Sequence, residues 1–209
     1  ASSDANAEPW LSGLSVAEQS IREGYNLSIV AASPGGAAQI TVHSSTVLGL
    51  RHALRTLAAL VSSASAPVAS SGGGVALPVL AIQDRPRFGY RGLILDTSHH
   101  FLSVDGLLST IALLGRLKYN VLHWHLTDTQ SFQLVVPSHP ELAQASAKQS
   151  ERYSLEDLRT VVGAARLEGV SVLLEIEAPG HASSWANSHP ELSLIGAKTI
   201  APTKACKLY

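Results

Sequence analysis

The sequence predicts an α/β chain: a small α+β unit followed by strands and helices in strict alternation. Three observations carry this expectation. Two short N-terminal segments alternate apolar and polar residues and lead into a helical pattern and one more strand. From Arg91 onward, apolar strands are separated by segments long enough to hold a crossover helix, which makes βαβ units and a parallel sheet. The C-terminal ends of those strands collect acids and histidines, as the strand ends of a parallel barrel do.

The first unit is expected over residues 1–86. Tyr25-Asn26-Leu27-Ser28-Ile29-Val30 and Gln39-Ile40-Thr41-Val42-His43-Ser44 alternate and read as half-buried strands, with Pro34-Gly35-Gly36 turning between them. Val47, Leu50, Leu54, Leu57 and Val61 recur at helical spacing, so 46–61 is expected to be a helix with that face buried. Residues 62–74 are small, polar and glycine-rich, and read as a surface loop. Residues 75–83 return as a strand.

The second unit, 87–209, begins with a continuous apolar strand over 91–98. A helix follows over 104–118, with Leu107, Ile111, Leu114 and Leu117 on one face. Residues 121–128 form the next strand. A helix over 155–168 has a capping box of Ser154 and Asp157, an apolar face of Leu158, Val161, Val162 and Ala165, and Gly169 as its stop. Residues 170–181 read as the third strand. The pentapeptide Ser-His-Pro-Glu-Leu occurs at 138–142 and again at 188–192. In each copy the serine stands three residues before the glutamate, which predicts a capping box opening a short helix.

Composition removes several function classes. The 209 residues are 45% hydrophobic, enough for a sizeable core, and 15 basic residues offset 16 acidic ones. No basic stripe suggests nucleic acid and no apolar run reaches a membrane span. The N-terminal stretch lacks the basic and apolar regions of a signal peptide. The one cysteine, Cys206, is either a free thiol or half of a disulfide to another polypeptide. Asn26-Leu27-Ser28 fits the N-glycosylation pattern of an exported protein.

The candidate site lies at three strand ends. The first gives Asp96, His99 and His100, the second His123, His125 and Asp128, the third Glu175, Glu177 and His181. His123-Trp124-His125 has the spacing of a metal pair, because i and i+2 of a strand share a face. Barrel metallohydrolases usually carry that motif on the first strand, whereas here it is on the second. For His123 the preferred reading is a barrel-wall position with its ring nitrogens satisfied by hydrogen bonds, and no metal is expected. Trp185 reads as core and Arg91, at the opposite end of its strand, as structural.

RPRFGYRGLILDTSHHF, LKYNVLHWHLTDTQSF and LLEIEAPGHASSW together resemble the β-N-acetylhexosaminidases of glycoside hydrolase family 20, in the family's order and over about residues 20–209. The resemblance implies the family's small α+β domain followed by the first three βα units of a (β/α)8 TIM barrel. It implies removal of terminal β-linked N-acetylglucosamine or N-acetylgalactosamine with retention. The substrate's acetamido oxygen attacks the anomeric carbon to form an oxazolinium, and no cofactor is needed. One family Asp orients the acetamido group, and the neighbouring Glu protonates the leaving oxygen. By motif, Asp128 and His181 match residues that hydrogen-bond towards that Glu, His125 supports Asp128, and Glu177 stands where the family more often has Asp.

Two departures matter. The His-x-Gly-Gly-Asp-Glu motif that carries the catalytic pair is absent from these residues. The expectation is a processed precursor whose second polypeptide supplies the remaining strands and the pair, bridged through Cys206. A secreted, lysosomal or vacuolar glycoprotein is expected, acting on an N-acetylhexosamine-containing glycan and forming a homodimer once assembled. The other departure is His99, which replaces an arginine that forks two hydrogen bonds onto the terminal sugar. An imidazole offers fewer donors and no fixed charge. It motivates the rival reading, a catalytically impaired sugar-binding or structural protein on the same scaffold.

Overall fold

The structure, a computed structural model, describes residues 22–31, 38–64 and 75–192. The expected turn at 34–36, most of the loop at 62–74 and Cys206 lie outside the described residues. The chain divides into two compact units, residues 1–90 and 91–209.

In the first unit, β1 (Tyr25–Val30) is the central strand of an antiparallel sheet, between β2 (Gln39–Ser44) and β3 (Leu80–Asp84). Alternation decides its two faces. Tyr25, Leu27 and Ile29 are buried, while Asn26 is exposed on the opposite face. Helix α1 (Val47–Ser63) packs on the buried face. Thr46 caps it, its hydroxyl accepting from the Gly49 amide at 3.2 Å. The Tyr25 hydroxyl donates to Asp84 Oδ2 at 2.9 Å and lies 2.6 Å from Thr56 Oγ1, tying both neighbours to β1.

The face that α1 buries differs from the expected one. Gly49, His52 and Ala53 are buried, with Leu57 and Leu60 packed beside Ala53. Val47, Leu50, Leu54 and Val61 are exposed. The cause is polar: buried His52 places Nε2 2.9 Å from Glu23 Oε2, and that pair turns the 49/52/53 side inward. An apolar count gives the leucine side, because it cannot weigh a buried hydrogen-bonded pair. β3 also starts late, at Leu80, since Pro78 has no N–H to offer a sheet partner.

The second unit is a parallel sheet in the order β4 (Gly92–Asp96), β5 (Val121–Thr127), β6 (Ser171–Ile176). The crossovers carry α2 (Val104–Arg116) and α4 (Leu155–Glu168), with a short α3 (Glu141–Ser146) between β5 and α4. Leu107, Ile111 and Leu114 of α2, Leu158, Val161 and Ala165 of α4, and Leu122, Trp124 and Leu126 of β5 form one core. Leu117 and Val162, expected on those faces, are exposed. Val162 lies one position round from Val161, and Leu117 falls just past the end of α2. The Ser154–Asp157 capping box is present, and Gly169 ends α4 with φ 71°, the left-handed conformation that glycine adopts without strain.

The strands are shorter than expected. β4 stops at Asp96, where the chain turns, and β6 stops at Ile176, ahead of Ala178-Pro179. The two Ser-His-Pro-Glu-Leu copies do not form capping boxes. Pro140 is the N-cap of α3 and supplies no side-chain bond, while Ser188 closes the preceding 3-10 turn (Ser183–Asn187) by donating to the Trp185 carbonyl at 3.3 Å. Proline directly after the histidine starts the helical turn there, so the serine falls outside it.

At Gly49, a β-carbon would sit 2.4 Å from the Gly24 carbonyl oxygen and 2.2 Å from Ser44 Oγ. Helix propensity alone favours Gly49→Ala by about 1 kcal/mol. Overpacking costs about 1–3 kcal/mol and outweighs it. The expected result is a lower urea midpoint, and a raised one would show that α1 has room to stand off.

Candidate active site

The register of the parallel strands builds the site. Asp96 pairs with His125, and His125 with Glu175, so one row crosses all three strands near their C-terminal ends. Leu122, Trp124 and Leu126 point the other way, into the core with α2 and α4. The sheet therefore has one dry face and one face carrying Asp96, His123, His125 and Glu175.

At the end of β4, Asp96 acts as the organiser of the turn. Its Oδ1 accepts from the Ser98 hydroxyl at 2.6 Å and the His99 amide at 3.2 Å, and its Oδ2 lies 2.5 Å from His99 Nδ1. Burial pushes the Asp96 carboxyl up, but these donors outweigh it and hold it below the ordinary 3.8. His99 is exposed, yet its ring is drawn back onto Asp96, which leaves Nε2 as its outward hydrogen-bonding atom. His100 is exposed beside it. Buried Thr97 locks the turn to β5: its hydroxyl donates to the His125 carbonyl at 3.2 Å and accepts from Trp124 Nε1 at 3.0 Å.

At the end of β5, Asp128 is buried and accepts from the Thr129 amide at 2.5 Å. His181 places Nδ1 3.1 and 3.3 Å from its two oxygens. An ionised carboxylate only accepts, so Nδ1 carries the proton and Nε2 is left facing away. His181 has φ 56°, a conformation uncommon outside glycine, and it follows Gly180. Burial raises the Asp128 pKa, but the Thr129 amide, the His181 hydrogen bond and the charges of His181 and His99 bring it below the ordinary 3.8. His125 lies between the two acids, Nδ1 3.5 Å from Asp96 and Nε2 3.7 Å from Asp128. Its buried Nε2 makes no hydrogen bond. The Ser131 hydroxyl donates to the Ser98 carbonyl at 2.7 Å and joins the loops after β4 and β5.

β6 contributes Glu175, whose Oε2 lies 2.5 Å from His123 Nε2. That contact places His123 in the wall with an acid partner. Among the described residues, His123 and His125 share no set of metal-competent atoms. Glu177 is half-buried, its amide donating to Thr127 Oγ1 at 3.1 Å, and its carboxylate comes within ligand reach of Glu175 and His125. Asp96, His99 and His125 form a second set with metal-competent spacing. Trp185 packs edge-on to Phe132, centroids 5.8 Å apart, at the margin of the core. Arg91 donates from Nε to the Lys118 carbonyl at 2.7 Å at the far end of the sheet.

The structure thus brings Asp128, His181, His125, His99 and Asp96 together at the strand ends, with Glu177 beside them. Asn26 belongs to the other unit. Sequence reasoning missed Tyr153, a fully buried ring edge-on to Trp124 at 5.0 Å, with its hydroxyl bonded to the Leu102 carbonyl. Burial pushes that hydroxyl up to about 12, so it stays protonated. No spacing rule marks it, because it sits in a loop.

The family model described as "Glycosyl hydrolase family 20, catalytic domain" matches residues 88–207. The chain belongs to glycosyl hydrolase family 20. Among curated proteins, it is 36% identical over 190 residues to a beta-hexosaminidase of Emericella nidulans, covering 90% of this chain and 30% of that one. It is 48% identical over 111 residues to Beta-hexosaminidase 3 of Arabidopsis thaliana, covering 53% and 21%. Among solved structures, the family 20 β-N-acetylhexosaminidase of Streptomyces coelicolor aligns with TM-score 0.68 at 31% identity, covering 83% of this chain and 35% of that one. The Flavobacterium johnsoniae chitobiase aligns with the same TM-score at 34% identity, covering 81% and 24%. The chain therefore spans only about a third or less of these family 20 proteins. They imply a TIM-barrel catalytic domain, of which β4–β6 with their helices are a partial α/β block.

The depressed carboxyls, Asp96 and Asp128 with Glu141 and Glu191, set an acid limit on stability. A carboxyl whose folded pKa lies below its unfolded value stabilises the fold above the unfolded value. That contribution disappears as pH falls through the folded one. The urea midpoint is expected to drop below about pH 4, and Asp128→Asn should shallow the drop. An acid slope unchanged in the variant would overturn the assignment.

Proposed function

We propose that this chain is the N-terminal part of a retaining β-N-acetylhexosaminidase. The observation that carries the reading is the buried Asp128 held by His181 at the strand ends, within the family's motif. In this reading His181 Nε2 is turned towards the acid Glu, supplied from outside these residues. The Asp128–His181 pair fixes that acid's direction and the proton it gives to the leaving oxygen. His125 stands 3.7 Å from Asp128 and, in this reading, backs it without a hydrogen bond. The substrate's acetamido oxygen forms the bond to the anomeric carbon as the glycosidic C–O bond breaks, giving an oxazolinium that water opens with net retention. Glu177 borders the sugar pocket.

The remaining strands come from outside the 209 residues. Support lies in β4 and β6, which are edge strands among the described residues and leave Ile94, Leu174 and Ile176 exposed. A second polypeptide bridged at Cys206 is the arrangement proposed. The exposed Asn26 sequon supports a glycoprotein of the secretory, lysosomal or vacuolar route, acting on N-acetylhexosamine-containing glycans and forming a homodimer once complete. Among the described residues, no helix is long and apolar enough to cross a membrane. Mass measurement of the isolated protein under non-reducing and reducing conditions tests the bridge: release of a 21.9 kDa species on reduction supports it, and the same mass under both conditions excludes it.

A specific observation favours a weaker enzyme than relatives with arginine at position 99. His99 spends Nδ1 on Asp96 and keeps one donor or acceptor for a sugar hydroxyl. A charged hydrogen bond is worth about 1.5–3 kcal/mol, so His99→Arg should raise kcat/KM on a chromogenic N-acetylglucosaminide by about 10- to 100-fold. No gain would count against sugar contact at this position. No hydrolysis by the complete wild-type protein, with retained binding of N-acetylglucosamine, would favour the sugar-binding reading.

A further inference from the structure

The repeated pentapeptide has a structural consequence that lies outside the candidate active site. Its two copies, at 138–142 and 188–192, meet in space. The His139 and His189 rings stand edge to face, centroids 6.0 Å apart and 79° between planes. Glu141 Oε1 lies between them, 3.1 Å from His139 Nδ1 and 3.1 Å from His189 Nε2. All three atoms fall within 4.8 Å of one another. The other nitrogen of His189, Nδ1, lies 3.0 Å from Glu191 Oε1.

We propose that the two pentapeptides form a binding site for a zinc-like divalent ion, with His139, Glu141 and His189 as ligands and Glu191 orienting His189. Five physical points support it. Zinc takes imidazole nitrogen and carboxylate oxygen at about 2.0–2.2 Å, and tetrahedral ligands at that radius lie about 3.3–3.5 Å apart. The two nitrogen–carboxylate separations are close to this, and the two ring nitrogens lie within 4.8 Å of each other. The set is two imidazoles and a carboxylate, a combination suited to zinc rather than calcium or magnesium, which prefer oxygen. Glu191 holds Nδ1 of His189, so once the ion displaces the proton that Nε2 shares with Glu141, Nε2 is the nitrogen left to bind it. The rings also come from two well-held turns. His139 donates its amide to the Val136 carbonyl at 3.0 Å, and His189 its amide to the Trp185 carbonyl at 2.8 Å. His139 and Glu141 are partly open to solvent, which leaves room for water as the fourth ligand. The ion would clasp the loop after β5 to the loop after β6.

The charges facing the site agree. Glu141 and Glu191 bring two negative charges against two imidazoles, so a divalent cation neutralises the cluster. The ion makes no contact with the strand-end acids, and its role is to hold two loops rather than to activate water.

The test is zinc titration of the complete protein by calorimetry, with cobalt substitution read by visible absorption, alongside thermal unfolding. The expected result is one equivalent bound, a tetrahedral cobalt spectrum, and a higher Tm with zinc. Glu191→Gln, which touches no metal, should weaken binding about 10- to 100-fold while leaving the fold intact. The double variant His139→Ala/His189→Ala should lose that equivalent. His99→Ala separates this site from the metal-competent set at Asp96, His99 and His125, and should keep it. Absence of zinc binding in the wild type, binding that survives the double variant, or loss of binding in His99→Ala would each overturn the proposal. None of these readouts depends on glycosidase activity.

Discussion

The register of three parallel strands is the constraint on which the rest of the second unit depends. Pairing Asp96 with His125 and Glu175 sets one polar row, and the same pairing sends Trp124 to the opposite face. A one-residue slip would exchange the faces and bury the acids against α2 and α4. Several bonds hold the register. At the lower end, Arg91 donates its amide to Asn120 Oδ1 at 2.8 Å, and Ser171 donates its amide to the Asn120 carbonyl at 2.8 Å. At the upper end, Trp124 reaches across to Thr97. The indole thus fills the core with its ring and fixes the β4 turn with its N–H. Its edge contact with Tyr153 adds about 0.5–1.5 kcal/mol to the burial of both rings. The geometry at the strand ends is in this sense a product of core packing.

Within that frame the acids and histidines form a chain rather than isolated pairs. Asp96 is consumed by its own turn, accepting from Ser98 and from the His99 amide and ring. Asp128 is consumed by Thr129 and His181. His125 stands between them at distances longer than ordinary hydrogen bonds, with a buried nitrogen unpaired. A buried unpaired nitrogen costs about 1–3 kcal/mol, and a small shift of His125 towards Asp128 would recover part of that cost. His99 is the weak member. Its ring is committed inward, where a longer guanidinium could satisfy Asp96 and still extend past it.

Much of this was legible in the sequence, and the exceptions are instructive. Strand positions followed from alternation and continuous apolar runs, and the α4 limits followed from Ser154, Asp157 and Gly169, since capping is local chemistry. The strand-end residues were legible because a parallel sheet delivers every C-terminal end to one side. The buried side of α1 was not. Its leucines are the more apolar stripe, but the Glu23–His52 pair lies 29 residues apart in sequence and decides the rotation. Tyr153 was illegible for the same reason: its partners are Leu102, Trp124 and Phe101, all distant along the chain.

The repeated pentapeptide shows where local reasoning misleads most. Serine three residues before glutamate is a sound capping signal, yet an intervening His-Pro changes which residue begins the turn. Once proline takes the N-cap of α3, Glu141 is released from any reciprocal bond to a serine and turns to His139 and His189 instead. The second copy repeats the intra-turn histidine–glutamate contact at His189 and Glu191. Two copies of one pentapeptide, brought together by the loops after β5 and β6, then create a contact that neither contains alone. These loops leave the same strand ends as Asp128 and His181, whose side chains meet although they stand 53 positions apart in sequence, so one end of the sheet delivers both contacts.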